Sequence, residues 1–125
     1  MPMQDFSAVL ALIHAVTARF PDEARLASER LASKGYDPDA WHFWFEEFAQ
    51  ITTEAIRRRD ETQTRAHLMF MSDQLHIAGP EVFEAIDVSY TENLMWDLGA
   101  AQKKWGWTLV PENLRALYRA MWGEP

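Results

Sequence analysis

Apolar side chains recur every three or four positions along most of the chain, and no convincing run alternates apolar with polar. The pattern therefore predicts helices packed on helices. Phe6, Val9, Leu10, Ile13, Val16 and Phe20 form the first stripe, with Asp5 placed to cap it and Pro21 to end it. Pro21-Asp22-Glu23 opens a second helix, because Pro is tolerated where its missing N–H has no partner and two acids suit the positive end of the dipole. That helix should stop at Lys34-Gly35. A third is predicted from Asp37-Pro38-Asp39 to about Arg59, and Arg57-Arg58-Arg59 suits its negative end. Asp60 or Thr62 caps a fourth, with Thr64, Leu68, Met71, Leu75 and Ala78 on one stripe and Gly79-Pro80 as the breaker. Met69, Phe70 and Ile77 fall off that stripe, so this helix is expected to be buried on most sides. A fifth helical region starts near Pro80, places Val82, Ile86, Tyr90, Leu94 and Leu98 four residues apart, and ends between Gly99 and Lys104. "KKWGW", residues 103–107, reads as a loop. Pro111-Glu112 then begins a last helix with Leu114, Leu117, Tyr118 and Met121 inward. The expected fold is all-α: a single compact bundle of five or six helices over residues 1–125, with no internal repeat.

The densest aromatic stretch is "WHFWFEEF", residues 41–48. At about 100° per residue, Trp41, Trp44, Phe45, Phe48, Thr52 and Ala55 gather on one side of the third helix. Phe43 falls on the other, among Glu46, Glu47, Gln50 and Glu54, a face that should be solvated. An outward aromatic beside carboxylates has the character of an interface anchor, and a neighbouring helix or a second copy of the chain would equally cover it. Trp105 and Trp107 sit in the predicted loop, where they either lid the core or form a second contact patch, with Gly106 permitting a backbone conformation closed to other residues.

Composition narrows the functions. A formal charge of −7 and a pI near 5.0 oppose binding to nucleic acid, since a phosphate backbone is attracted to Lys and Arg. The same acidity opposes anionic membranes and favours a basic protein partner. With no cysteine there is no disulfide framework, thiolate metal site or cysteine nucleophile. The N-terminus shows no signal-peptide pattern, and no apolar run approaches the roughly 20 residues that span a bilayer. The cytoplasm is the expected compartment.

Candidate chemistry is sparse. His42 with Glu46 and Asp73 with His76 have helical spacing, but the paired Glu-x-x-His motifs of a carboxylate metal site are missing. No metal or cofactor is expected. There is no Gly-x-Ser-x-Gly elbow, Walker loop or Gly-x-Gly-x-x-Gly turn. The adjacent acids Glu46-Glu47 and Glu81 with Glu84 read as solvated faces. The chain is expected not to be an enzyme.

Two segments carry a resemblance. "AIDVSYTENLMWDL", residues 85–98, matches a hydrophobic-aromatic-x-Glu-Asn-Leu pattern at Ser89-Tyr90-Thr91-Glu92-Asn93-Leu94 in all but its first position, where Ser89 stands. "WGWTLVPENLRALYRAMWG", residues 105–123, holds Trp107, Leu109, Pro111, Leu114, Leu117 and Tyr118 in a Trp-x-Leu-x-Pro-x-x-Leu arrangement leading into a Leu-Tyr helix. Together they resemble the C-terminal half of small helical bacterial immunity proteins of polymorphic toxin systems. The resemblance implies a protein that neutralises a cognate toxin by stoichiometric occlusion. Tyr90, Glu92, Asn93 and Leu94 would maintain the fold, Glu92 by pairing with a basic side chain. Phe43, Glu46, Glu47 and Glu54, with Trp105 as a second patch, are the expected partner-binding residues. Two other classes stay open: a small ligand-binding protein or enzyme with an inter-helix pocket, and an adaptor or regulator that dimerises through Phe43 and Phe70.

Overall fold

In a computed structural model, which describes residues 6–125, Pro21, Asp60 and Pro80 start helices where the sequence places them. Asp5, the expected first cap, lies outside the described residues. The helices are α1 (Ser7–Arg19), α2 (Pro21–Ser33), α3 (Trp41–Arg57), α4 (Glu61–His76), α5 (Pro80–Glu84), α6 (Ala100–Trp107) and α7 (Glu112–Trp122). Among the described residues there is no strand, and no helix is long and apolar enough to cross a membrane. Gly35, in the left-handed region at φ 81°, ends α2 as expected, the Tyr36 N–H reaching back to the Leu31 carbonyl. Asp60 caps α4, its side chain accepting from the Gln63 N–H at 3.1 Å.

α3 is the centre of the bundle, touching α1, α2, α4, α6 and the segment after α5. Its apolar stripe joins Val9, Val16, Leu31, Leu68, Ile86 and Leu114 in one continuous core. α4, expected to be the buried one, is not. Met69 is half-exposed and Ile77 is 75% exposed, because α4 packs on α3 and α7 and leaves its remaining side uncovered.

The sequence also undercounts the helices, which are seven among the described residues where five or six were expected. The fifth region is broken: α5 widens into π-helical turns over Ala85–Tyr90, tightens at Thr91–Asn93, and stops at Leu94, which is extended (ψ 133°). Positions four apart on an α-helix drift by about 40° a step, about 160° from Val82 to Leu98. A π turn takes more residues per revolution and reverses that drift. Ile86 and Tyr90 are accordingly both buried, while Leu94 and Leu98, also buried, reach the core beyond the end of the helix. Met95 then adopts a left-handed conformation (φ 61°), held by its N–H to Thr53 Oγ1 at 2.9 Å and by complete burial of its side chain.

The expected loop 103–107 belongs to α6. Gly106 is helical and serves close approach, not turn geometry. A Cβ there would lie 2.8 Å from Ile56 Cγ2 and 3.0 Å from Met95 Sδ, so only Gly lets α6 seat on α3. α7 docks on α4 through Asn113, which accepts from Ser72 Oγ at 2.7 Å and donates to the Ser72 carbonyl at 3.0 Å.

Candidate functional site

The acidic side of α3 is covered, not solvated. α2 and the turn after it lie across that side and bring their cations with them. Glu54 forms a bidentate pair with Arg30 at 2.8 and 2.9 Å, which holds the Glu54 carboxyl below its ordinary range. Glu47 is only 6% exposed and is paired with Lys34. Phe43 is half-buried beneath Tyr36, the rings stacked at 4.1 Å with a 13° interplanar angle. Glu46 stays at the edge, 3.9 Å from His42, and His42 Nδ1 turns to Ser89 Oγ at 2.5 Å. The expectation of an open face built from Phe43, Glu46, Glu47 and Glu54 is therefore corrected: these groups are largely spent on α2. Trp105 is half-buried against the core, with Arg59 over its ring at 5.8 Å. Trp107 is buried between Tyr118 and the guanidinium of Arg115, 5.0 Å above its ring. Both tryptophans lid the core.

A surface that remains open lies beside α3, along the segment that follows α5. Between His76 and Lys103 the chain carries Glu81, Glu84, Asp87, Glu92 and Asp97 and no cation. Asp97 is paired with Arg57 at 2.5 Å; the other four have no ion-pair partner among the described residues. Glu92 thus lacks the basic partner expected for it. Partial burial raises the Asp87 carboxyl above its ordinary range, and the nearby Glu92 carboxylate raises it further.

This acidic stretch runs into an aromatic cleft of about 410 Å³, lined by Leu94, Trp96, Lys103, Tyr118, Trp122 and Glu124. Trp96 and Trp122 are 64% and 59% exposed, yet neither indole is loose. Trp96 Nε1 donates to Gln50 Oε1 at 2.9 Å, and Trp122 Nε1 donates to the Glu92 carbonyl at 3.0 Å. Sequence reading missed both residues because each lies at the frayed edge of an apolar pattern. The usable signal was that Trp96 and Trp122 fit no core stripe.

The interior holds a polar cluster of Thr52, His67 and Tyr90, all fully buried. Thr52 Oγ1 lies 3.0 Å from His67 Nδ1, 2.9 Å from the Tyr90 hydroxyl and 3.2 Å from the Phe48 carbonyl. Counting donors, Tyr90 O–H and His67 Nδ1–H give to Thr52, which gives to Phe48. This tautomer leaves no N–H or O–H of the cluster unpaired. His67 Nε2 is buried and has no hydrogen-bond partner among the described residues, and the imidazole packs against phenylalanine rings, Phe20 at 4.6 Å and Phe48 at 4.9 Å between centroids. Burial pulls the imidazole down to about 4, with Arg58 adding to the shift. The cluster is internal, and none of its three residues lines the Trp96–Trp122 cleft. No group of three or more His, Asp or Glu among the described residues is arranged to hold a metal.

A family model matches residues 13–123. The chain belongs to the DUF7674 family, a domain of unknown function. Comparison with curated proteins and with solved structures returns no match. The DUF7674 span begins inside α1 and ends at Gly123, so it takes in both indoles of the cleft, the acidic stretch and the buried polar cluster.

Proposed function

We propose that the protein is an immunity protein, which binds a cognate bacterial toxin and neutralises it by stoichiometric occlusion. One observation carries this reading. Residues 77–102 present five carboxylates and no cation, and four of those carboxylates have no counter-charge within the described chain. Unpaired like charges weaken the isolated protein and are relieved when a basic surface meets them, which speeds association and selects the partner. The aromatic cleft that this stretch runs into, its two indoles hydrogen-bonded in place, supplies the desolvated contact that would slow release. The toxin would be blocked by coverage of its basic substrate cleft, with no chemical step by the inhibitor. The resemblance of residues 85–98 and 105–123 to immunity proteins agrees with this reading.

The test is recovery of the tagged full chain from its native cells, salt washing, and mass spectrometry of what stays bound. One toxin-like polypeptide at about equal amount, whose expression alone arrests growth and whose co-expression with this protein does not, supports the reading. Recovery of the protein without any such polypeptide overturns it. One observation favours a second reading: the cleft volume lies in the range of small-molecule sites, about 300–1,000 Å³. A small molecule retained through purification would favour a ligand-binding protein. An adaptor dimerising through Phe43 and Phe70 finds less support, since Phe43 is stacked under Tyr36 and Phe70 packs edge-on against Phe20 at 5.5 Å.

A further inference from the structure

We propose that the Trp96–Trp122 cleft is the docking site for a protein partner with a basic surface, which inserts an apolar side chain between the two indoles. The inference rests on the binding reading above and assigns it a place, outside the patch of Phe43, Glu46, Glu47 and Glu54.

Three features carry it. The first is preorganisation. Each indole N–H is already bonded within the protein, Trp96 to Gln50 and Trp122 to the Glu92 backbone, while the ring faces stay in water. A partner that covers them desolvates a large apolar area without having to order the side chains, the condition under which tryptophan dominates an interface. The second is charge. The cleft lining holds one residue of each charge, Lys103 and Glu124, so the cleft itself favours an apolar guest over an ion. The flank is different. Glu92 holds Trp122 through its carbonyl, its own carboxylate is unpaired, and Asp87 is close enough to feel it. An apolar seat bordered by unpaired acids matches an apolar side chain projecting from a basic surface. The third is contrast. The groove between α1 and the α4–α5 junction, lined by Ala8, Ala11, Ala15, Ile77 and Val82, is apolar too, but it has no charged side chain in its lining to choose a partner.

The experiment uses the ¹⁵N-labelled full chain and two synthetic peptides, one alternating lysine with leucine and one alternating glutamate with leucine. The indole N–H signals of Trp96 and Trp122 are assigned from Trp96→Phe and Trp122→Phe. The lysine–leucine peptide should shift both signals and the amides of residues 87–92, and the glutamate peptide should shift neither. Raising salt from about 50 to about 300 mM should weaken binding severalfold. Trp96→Ala and Trp122→Ala should each weaken it roughly tenfold or more. Asp87→Asn with Glu92→Gln, which leaves the indoles untouched, should flatten the salt dependence. No binding, binding undiminished in the tryptophan variants, or shifts centred on Ile77 or on the α3 face would overturn the proposal. A toxin recovered from native cells that binds Trp96→Ala and Trp122→Ala as tightly as wild type would refute this site while leaving the immunity reading standing. Recovery of no toxin would refute that reading, and the peptide titration would still decide the cleft.

Discussion

His67 carries the sharpest residue-scale consequence. Its folded-state pKa, about 4, lies below the ordinary value of 6.5, so between those values the unfolded chain binds a proton that the folded chain refuses. Its contribution is therefore complete above pH 6.5 and is lost as pH falls toward 4, by about 3 kcal/mol in total. Urea unfolding of wild type and His67→Gln should show the stability gap between them shrinking by that order from pH 7 to pH 4; a gap independent of pH would contradict the assignment. Phe43 and Trp44 make a second pair. Trp44 is 2% exposed and its Nε1 reaches Ser28 Oγ at 3.1 Å, so Trp44→Ala should cost roughly 3–5 kcal/mol. Phe43 is half-covered by Tyr36, so Phe43→Ala should cost about 1–2 kcal/mol, more than an outward residue would. Equal losses in denaturant titrations of the two variants would refute that placement.

Among the elements, α6 depends most on a single absent side chain. Gly106→Ala places a methyl against Ile56 and Met95, and should destabilise by about 1–3 kcal/mol despite the better helix propensity of Ala. A stabilised Gly106→Ala would mean that α6 does not seat on α3 as described. α3 ends with an analogous constraint. Arg59 is left-handed (φ 56°) while the Asp60 N–H reaches back to the Ala55 carbonyl at 2.9 Å, a position usually taken by Gly. Its guanidinium lies over Trp105, which gives a reason for a long cation there. The run Arg57-Arg58-Arg59 thus does more than complement the dipole. Arg57 ties α3 to Asp97, and Arg58 bonds Gln63 at the start of α4.

For the whole molecule, charge placement matters more than net charge. Glu47 and Glu54 of α3 are neutralised by Lys34 and Arg30, while the acids of residues 81–92 have no ion-pair partner among the described residues. Asp87→Asn should then raise stability at neutral pH, because it removes a carboxylate whose pKa is raised by burial and by Glu92. The sign follows from linkage: a group with a raised folded pKa destabilises when ionised, and the penalty fades as pH falls and the carboxyl protonates. The gain in denaturant midpoint should therefore vanish in acid, and a loss of stability at pH 7 would show that Asp87 has a partner. A stabilising loss of charge on a surface that binds would be the usual exchange of stability for function.

The sequence by itself determined the helices, most of their ends and most of the core, because periodicity, proline, glycine and capping residues act over one or two turns. α1 to α4 and α7 lie within a few residues of where the pattern puts them, and Thr52, Tyr90 and Leu114 are buried as their stripes require. Even the buried polar cluster was half legible, since Thr52 and Tyr90 occupy apolar stripes. Only the tertiary structure decided which faces meet. A helical wheel separates two sides of α3 but does not say that α2 will bring Arg30, Lys34 and Tyr36 across the polar one. The break at Leu94 and the helicity of Trp105-Gly106-Trp107 likewise depend on partners far along the chain, Thr53 and Ile56. The cleft is assembled from residues 94–103 and 118–125 and exists only once α7 has docked. Local propensity is written in neighbouring residues, whereas exposure is a property of what packs last against a surface, and that is decided by contacts dozens of residues apart.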